Sequence, residues 1–368
     1  MRASVSEMSV KGRAQSRYSG CTCFLEGLHL RSSISVQIFG GGPAGSAAAI
    51  AALSETGAVH IVEKSCFPRH KVCGEFLSPE IAPALESLGI WREFLQLRPA
   101  RIRRMTLHFG TRSSQSRLPD GAFGLSRYEF DRLLFDKAIN MGATTTRQRL
   151  VPSSAVAQES PTRIGDVMAI GRKSVAIAGR RLFGFKAHFE GPVNDGVEMF
   201  FFRKCYVGVS AIENGITNIC GIAPEQVLRA CEFHMDDLLV GWPPLADRVR
   251  PLSRISRWFT VGPLVFGRQR GYCAGRAIYP AGDALGFIDP FTGVGLVTAV
   301  GTGLMAGLAA STGGSVQKHL LNCYRAVRKP FYLASVFRTI LGSGLAESLG
   351  PLIPGRYLFQ MTRLGSLS

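Results

Sequence analysis

The stretch ISVQIFGGGPAGSAAAI, residues 34–50, constrains this chain more than any other. A short apolar run rich in β-branched residues ends in glycines and passes straight into small residues that favour helix. Gly40, Gly42 and Gly45 stand in G-x-G-x-x-G spacing, and a second apolar run, 59–64, carries Glu63 near its end. Strand, glycine turn, helix, strand and acid in that order predict one half of a doubly wound parallel sheet. Each glycine has its own mechanical role. Gly40 permits a tight turn, Gly42 lets backbone N–H groups approach a pyrophosphate, and Gly45 lets helix and strand close up. The helix N-terminus offers free N–H donors and its positive dipole end to a phosphate. A carboxylate placed like Glu63 accepts hydrogen bonds from both ribose hydroxyls and disfavours a 2′-phosphate. Pro43 and Ala44 in the turn and Lys64 beside the acid complete this candidate dinucleotide set.

The far end of the chain says which dinucleotide. Residues 276–310 read RAIYPAGDALGFIDPFTGVGLVTAVGTGLMAGLAA. A short strand meets Gly282 and Asp283, then Pro290, Gly293 and Gly295 open a long small-residue helix. An aspartate closing a strand beside a glycine suits a polyhydroxylated chain such as ribitol, and a glycine turn at a helix start suits an anionic ring edge. NAD lacks ribitol and FAD has it, so the two glycine motifs together predict FAD.

Composition narrows the partners. The 368 residues are 46% hydrophobic, enough for substantial cores, and the formal net charge is +17. Aromatics are not interleaved with the arginines in any RNA-binding pattern, so no nucleic-acid partner is expected; a solvated basic face or an anionic membrane surface is. Nine scattered cysteines without a C-x-x-C pair predict reduced thiols in a cytoplasmic protein, with neither a disulfide framework nor a metal site. Residues 1–33 are polar and basic, without a secretory signal, and read as a disordered or non-native extension. Residues 290–317 carry no charge, but their Gly, Ala and Thr content predicts a buried helix rather than a membrane span.

Five segments in sequence order, FPRHKVCGEFLSPE (67–80), LSRYEFDRLLFDKAINMGA (125–143), GFKAHFE (184–190), YVGVSAIENGITNICGI (206–222) and AGDALGFIDPFTGVG (281–295), resemble the geranylgeranyl reductase family. That family belongs to the p-hydroxybenzoate-hydroxylase-like FAD-dependent oxidoreductases and monooxygenases. The resemblance, over roughly residues 34–330, implies an α/β protein. A Rossmann-like FAD-binding domain, discontinuous in sequence (34–100, 125–180 and 270–315), would carry an antiparallel-sheet substrate domain (101–124 and 181–269) and a C-terminal helical segment (316–368). It implies Arg69 and Lys71 near the flavin, Arg127 at the pyrophosphate region, Asp283 on pyrophosphate or ribitol, and Pro290, Gly293 and Gly295 along the isoalloxazine.

Three places depart from the family pattern. VMAIGRKS (167–174) keeps Gly171, Arg172 and Ser174 but lacks the aspartate before that glycine. The turn after Pro290 reads Gly293-Val294-Gly295 where relatives carry Gly-Glu-Gly. The aromatic prenyl signature survives only as Tyr206, and the Trp-x-Trp of flavin halogenases is absent.

The chemistry implied is reduction of FAD by transiently bound NAD(P)H, followed by hydride transfer to a carbon–carbon double bond or by oxygen activation. The degraded prenyl signature tilts the expectation to a monooxygenase-like reaction on an apolar small molecule, with a polyprenyl reductase and a non-catalytic flavin binder as the alternatives. Cys73 and Glu75 are the expected catalytic pair, Glu75 as a general acid if burial raises its pKa. Lys71 would hold an anionic species, and His188 reads as a strand residue or a base. The basic, apolar 316–368 segment would pack as a helix or touch a membrane surface.

Overall fold

The computed structural model describes residues 36–149, 165–172, 181–202, 204–268 and 277–343, with Phe359 and Arg363. The expected N-terminal extension with Cys21 and Cys23, Ser174, and most of the segments 144–170 and 344–368 therefore lie outside the described residues.

A five-stranded sheet is parallel throughout, with strands Ile278–Pro280, Gly165–Met168, Val36–Phe39, Val59–Glu63 and Thr144–Arg147 in that spatial order. Its members come from both ends of the chain, so the glycine motif at residue 40 and the Gly282–Asp283 turn stand at the same, carboxyl, edge. Val36, Ile38, Val59, Ile61 and Val167 are buried, as expected of a sheet covered on both faces.

Helix Pro43–Leu53 packs on this sheet and against helix Gly295–Ser311. The small residues expected to let the first helix approach a strand serve mainly this helix crossing. A Cβ on Gly303 would stand 2.2 Å from the carbonyl oxygen of Ala44, and one on Gly307 would stand 2.2 Å from that of Ala48. Backbone meets backbone, with no side chain to yield. Gly303→Ala is expected to cost about 3 kcal/mol of folding stability, read by denaturant unfolding; an unchanged midpoint would contradict the crossing.

The second sheet has nine strands among the described residues. It is mixed rather than antiparallel as expected: Ala100–Phe109 runs parallel to Gly196–Phe202, while the other pairs are antiparallel. The chain leaves this sheet after Gly124, forms helix Arg127–Asn140 and the Gly165–Met168 strand, and only then returns at Leu182, so these neighbours are not a hairpin. A hairpin does form where Asn214 (φ 59°) and Gly215 (φ 70°) turn the chain between Cys205–Ala211 and Thr217–Pro224.

Alternation divides the sheet's two faces. Phe185, Ala187, Phe189, Val207, Val209 and Ile219 pack against the short helices of residues 225–249. Met105, Leu107, Val197, Phe201 and Tyr206 form a different cluster with Phe287 and Phe337, the latter on helix Val316–Ser343. Lys186 and His188 pair with Cys220 and Asn218 in register and share the second face. No helix among the described residues is long and apolar enough to cross a membrane.

Glu198 ties the parallel pair to the helices. It accepts from Arg248 Nε at 2.5 Å and Asn194 Nδ2 at 3.1 Å, and His108 Nε2 lies 3.8 Å away. Burial opposes its charge, but His108, Arg248 and Asn194 outweigh this and bring the carboxyl down to about 2. A carboxyl held below its unfolded value, about 4.3, stabilises fully above that pH and loses its contribution as pH falls towards the folded value. Wild-type protein is therefore expected to lose stability more steeply between about pH 4 and 2 than Glu198→Gln. Parallel acid-unfolding curves would contradict this.

Candidate functional site

The glycines of the first motif divide into two kinds. Gly40 has φ +101°, and a Cβ there would meet the Ala169 carbonyl oxygen at 2.4 Å; a Cβ on Gly45 would stand 1.7 Å from the Gly40 oxygen. Both positions are required by the protein's own backbone. Gly42 differs: its φ is −71°, and nothing lies within 4 Å of the Cβ position. The fold does not need glycine there. Gly42 precedes an 11-residue helix whose first residue is Pro43 and whose first N–H groups have no side-chain cap.

The distant motif docks on this turn. Gly282 has φ +59°, its Cβ position lies 2.9 Å from Ala44 Cβ, and its N–H donates to Thr302 Oγ1 at 2.9 Å. Gly295 opens the second long helix with nothing within 4 Å of its Cβ position and no side-chain cap. Between them Gly293 takes φ +69°, where a Cβ would press on the Phe76 ring at 3.0 Å.

Glu63 is buried at the carboxyl end of its strand. It accepts from Gly41 N–H at 2.7 Å, Ser65 N–H at 2.9 Å and Arg69 Nη1 at 3.0 Å. Burial works against its charge, yet Arg69 and the two backbone donors hold it below the usual carboxylate range. The acid thus braces the glycine turn, and Arg69 already faces it; Lys64 beside it is exposed.

Four further charges converge beyond the turn. Burial, reinforced by Arg69 and Arg127, pushes Lys71 down to about 8. Arg127 forms a bidentate pair with Asp131 one turn along its helix, at 2.5 and 2.7 Å; burial opposes its charge, but Asp131 raises its pKa. Burial raises the Asp283 carboxyl, partly offset by Arg127, Arg172 and Lys71. Burial lowers Arg172, which also covers the Phe287 ring at 5.5 Å. Arg172 follows the Gly165–Met168 strand, two residues after Ile170, which is 40% exposed.

Cys73 and Glu75 lie on the segment between this crevice and the second sheet. Glu75 is fully buried with φ +55°. Its carboxylate accepts from the Arg127 backbone N–H and from His188 Nε2, both at 2.7 Å, and is ion-paired with the fully buried Lys186. Burial pushes its pKa up, but Lys186 and His188 outweigh this and hold it below the usual value. Glu75 is therefore a charged clamp and not the general acid expected from its position. Burial raises the Cys73 thiol, offset in part by Arg127, so it stays protonated at neutral pH. Lys186 is the residue that sequence reasoning missed. Its signal was present: alternation in LFGFKAHFE puts Lys186 and His188 together on one face of an apolar strand.

On the other side of this segment lies an apolar cavity of about 80 Å3 between the second sheet and the Pro290–Gly293 turn. Met105, Leu107, Met199 and Phe201 line the sheet side, with Gly74 and Phe76 between it and the crevice. Tyr206, Ser210, Cys220 and Thr292 supply its polar lining; the Tyr206 hydroxyl donates to Asp289 at 2.6 Å while Arg338 Nε donates to the other oxygen at 3.0 Å. Burial and the Asp289 charge raise Tyr206 well above its ordinary value. The structure thus packs Gly282 on Ala44 beside the Gly42 turn and brings Lys71, Arg127 and Arg172 within electrostatic reach of Asp283. Pro290 and Gly293 line the adjoining cavity, and Gly295 follows directly.

No protein-family model matches the chain, and no curated protein matches it in sequence. Solved structures match its fold. The myxobacterial chondrochloren halogenase CndH, a FAD-dependent halogenase, superposes with a TM-score of 0.70 at 17% identity, covering 91% of this chain and 94% of that one. The flavin-dependent brominase Bmp2 gives 0.67 at 16%, covering 90% and 93%. A flavoprotein/dehydrogenase from Cytophaga hutchinsonii gives 0.68 at 18%, covering 86% and 87%. The chain therefore has the fold of FAD-binding flavoenzymes.

Proposed function

We propose that the chain is a FAD-dependent oxidoreductase of monooxygenase-like type, reduced by NAD(P)H and acting on an apolar small molecule. The observation that carries this reading is Gly42: a glycine the fold does not require, opening an uncapped helix beside Lys71, Arg127 and Arg172. A crevice with this donor set fits a dinucleotide pyrophosphate. The Gly42–Pro43 turn would hold the phosphates, Glu63 the ribose and Asp283 the ribitol, with Gly293 and Gly295 along the ring. Bound FAD would supply two-electron transfer and oxygen activation.

The chain's own residues define the rest. Gly74, Phe76 and the apolar sheet face exclude water from the cavity, which concentrates apolar substrate next to the ring position. Tyr206 has its proton committed to Asp289, so its oxygen presents lone pairs alone to the cavity. That favours an aromatic ring bearing an O–H or N–H donor over a polyprenyl chain, which has no donor to offer. A polyprenyl substrate remains the second reading, supported by the Met105, Leu107 and Met199 lining. NADPH oxidation by FAD-loaded protein, screened with phenols and polyprenyl lipids with and without oxygen, tests the choice. Oxygen-dependent turnover of a phenol is expected, and oxygen-independent turnover of a polyprenyl lipid would overturn it.

Lys71 gives the cofactor site a pH signature. A bound pyrophosphate favours the charged lysine and raises its pKa from about 8. Below that pH the lysine is already charged and affinity is flat; above it, binding requires proton uptake and weakens up to about tenfold per pH unit. FAD affinity is therefore expected to fall above pH 8 in the wild type and stay flat in Lys71→Met, at a lower level. Parallel profiles would contradict this role.

A further inference from the structure

On the opposite face of the second sheet from the cavity, a polar groove of about 470 Å3 is lined by Arg103, Arg104, Arg117, Gln115, Ser116 and Asp195. Its construction concentrates positive charge. Arg104 and Arg117 are direct cross-strand partners, a like-charge pairing that costs stability in a sheet. The register shifts between Ile102 and Arg104, and this irregularity places Arg103 beside them. The shift is held in place: the N–H groups of Arg103 and Arg104 both donate to the Asp195 carbonyl, at 2.7 and 3.2 Å, and Gly196 N–H donates to Asn194 Oδ1 at 2.9 Å. Asp195, the acid lining the groove, is taken by Arg104 Nε at 2.7 Å. The guanidiniums of Arg103 and Arg117 have no carboxylate among the groove's lining residues.

We propose that this groove is an anion site for a phosphate ester carrying two or more negative charges. The backbone of Arg103 and Arg104 is fixed by a shared carbonyl, and Arg103 and Arg117 flank the paired Arg104 with planar sets of donors, which match phosphate oxygens in bidentate fashion. A bound dianion relieves the repulsion between Arg104 and Arg117. A single carboxylate cannot, because Asp195 is already present and leaves two cations over. Gln115 adds a neutral amide at the rim, so the site reads charge and oxygen geometry together. The groove does not share residues with the flavin crevice, and its ligand is additional to FAD.

The test is calorimetric titration of inorganic pyrophosphate into the full-length chain in saturating FAD at low salt, for wild type and for Arg103→Gln/Arg117→Gln. One saturable site is expected in wild type, weakened at least tenfold in the double variant, with a melting temperature that is not lowered, since the variant also removes the Arg104–Arg117 repulsion. ADP and phosphatidic-acid vesicles are then added as competitors. Displacement by ADP assigns the site to a soluble nucleotide phosphate, and displacement by the vesicles assigns it to a lipid headgroup. Absence of a saturable site, equal affinity in the variant, or displacement by neither competitor would overturn the proposal.

Discussion

Replacing Lys186 by methionine is expected to destabilise the fold by about 3–5 kcal/mol, because it leaves a charged Glu75 buried without its main partner. Lys186 and Glu75 are both 0% exposed, so water cannot take the lysine's place. The remaining donors, His188 Nε2 and the Arg127 backbone N–H, do not supply a fixed positive charge of equal strength. The double variant Lys186→Met/Glu75→Gln removes both charges and should recover much of the loss, since a buried pair costs far less to remove whole than to break. The unfolding free energies of wild type, the two single variants and the double variant form a cycle that measures this coupling directly. Additive losses would show that the pair is not the clamp between the Lys71–Glu75 segment and the second sheet.

Replacing Gly42 by valine should have the opposite profile: no loss of stability and a large loss of cofactor. Its backbone is in an ordinary extended conformation, and nothing in the protein lies within 4 Å of the new Cβ. The side chain would stand where a phosphate must approach the helix N-terminus. FAD affinity is expected to drop on the order of 100-fold, about 2.8 kcal/mol, with an unchanged melting temperature. Gly45→Ala is the contrast, since its Cβ would collide with the Gly40 oxygen and should unfold the turn itself. A Gly42→Val protein that binds FAD normally would mean that the open space is not a phosphate cradle.

These two variants mark what the sequence made legible and what it did not. The Gly40–Gly45 turn and Glu63 were readable because their partners are close in sequence and the geometry is a property of the local backbone. The convergence of Gly282 and Asp283 on that turn was readable because two distant motifs needed one ligand. The role of Glu75 was misread because burial alone argues for a raised pKa, and the opposing influence comes from Lys186 and His188, more than a hundred residues away. The parallel pairing of Ala100–Phe109 with Gly196–Phe202 was invisible because alternation reports which side chains share a face, not which strands are neighbours. Tyr206 was noticed as a surviving fragment of a signature. That its proton is committed to Asp289 depends on a contact 83 residues apart, and this contact turns the residue from a donor into an acceptor for the cavity.

The central claim is that this crevice holds FAD. Equilibrium titration of the purified wild-type chain with FAD, followed by flavin absorbance and fluorescence, tests it most directly. The structure predicts one-to-one binding, with riboflavin bound far more weakly because it offers no pyrophosphate to the Gly42 turn and no ribose to Glu63. A folded chain that shows no saturable FAD binding, or that binds riboflavin as tightly as FAD, would contradict it.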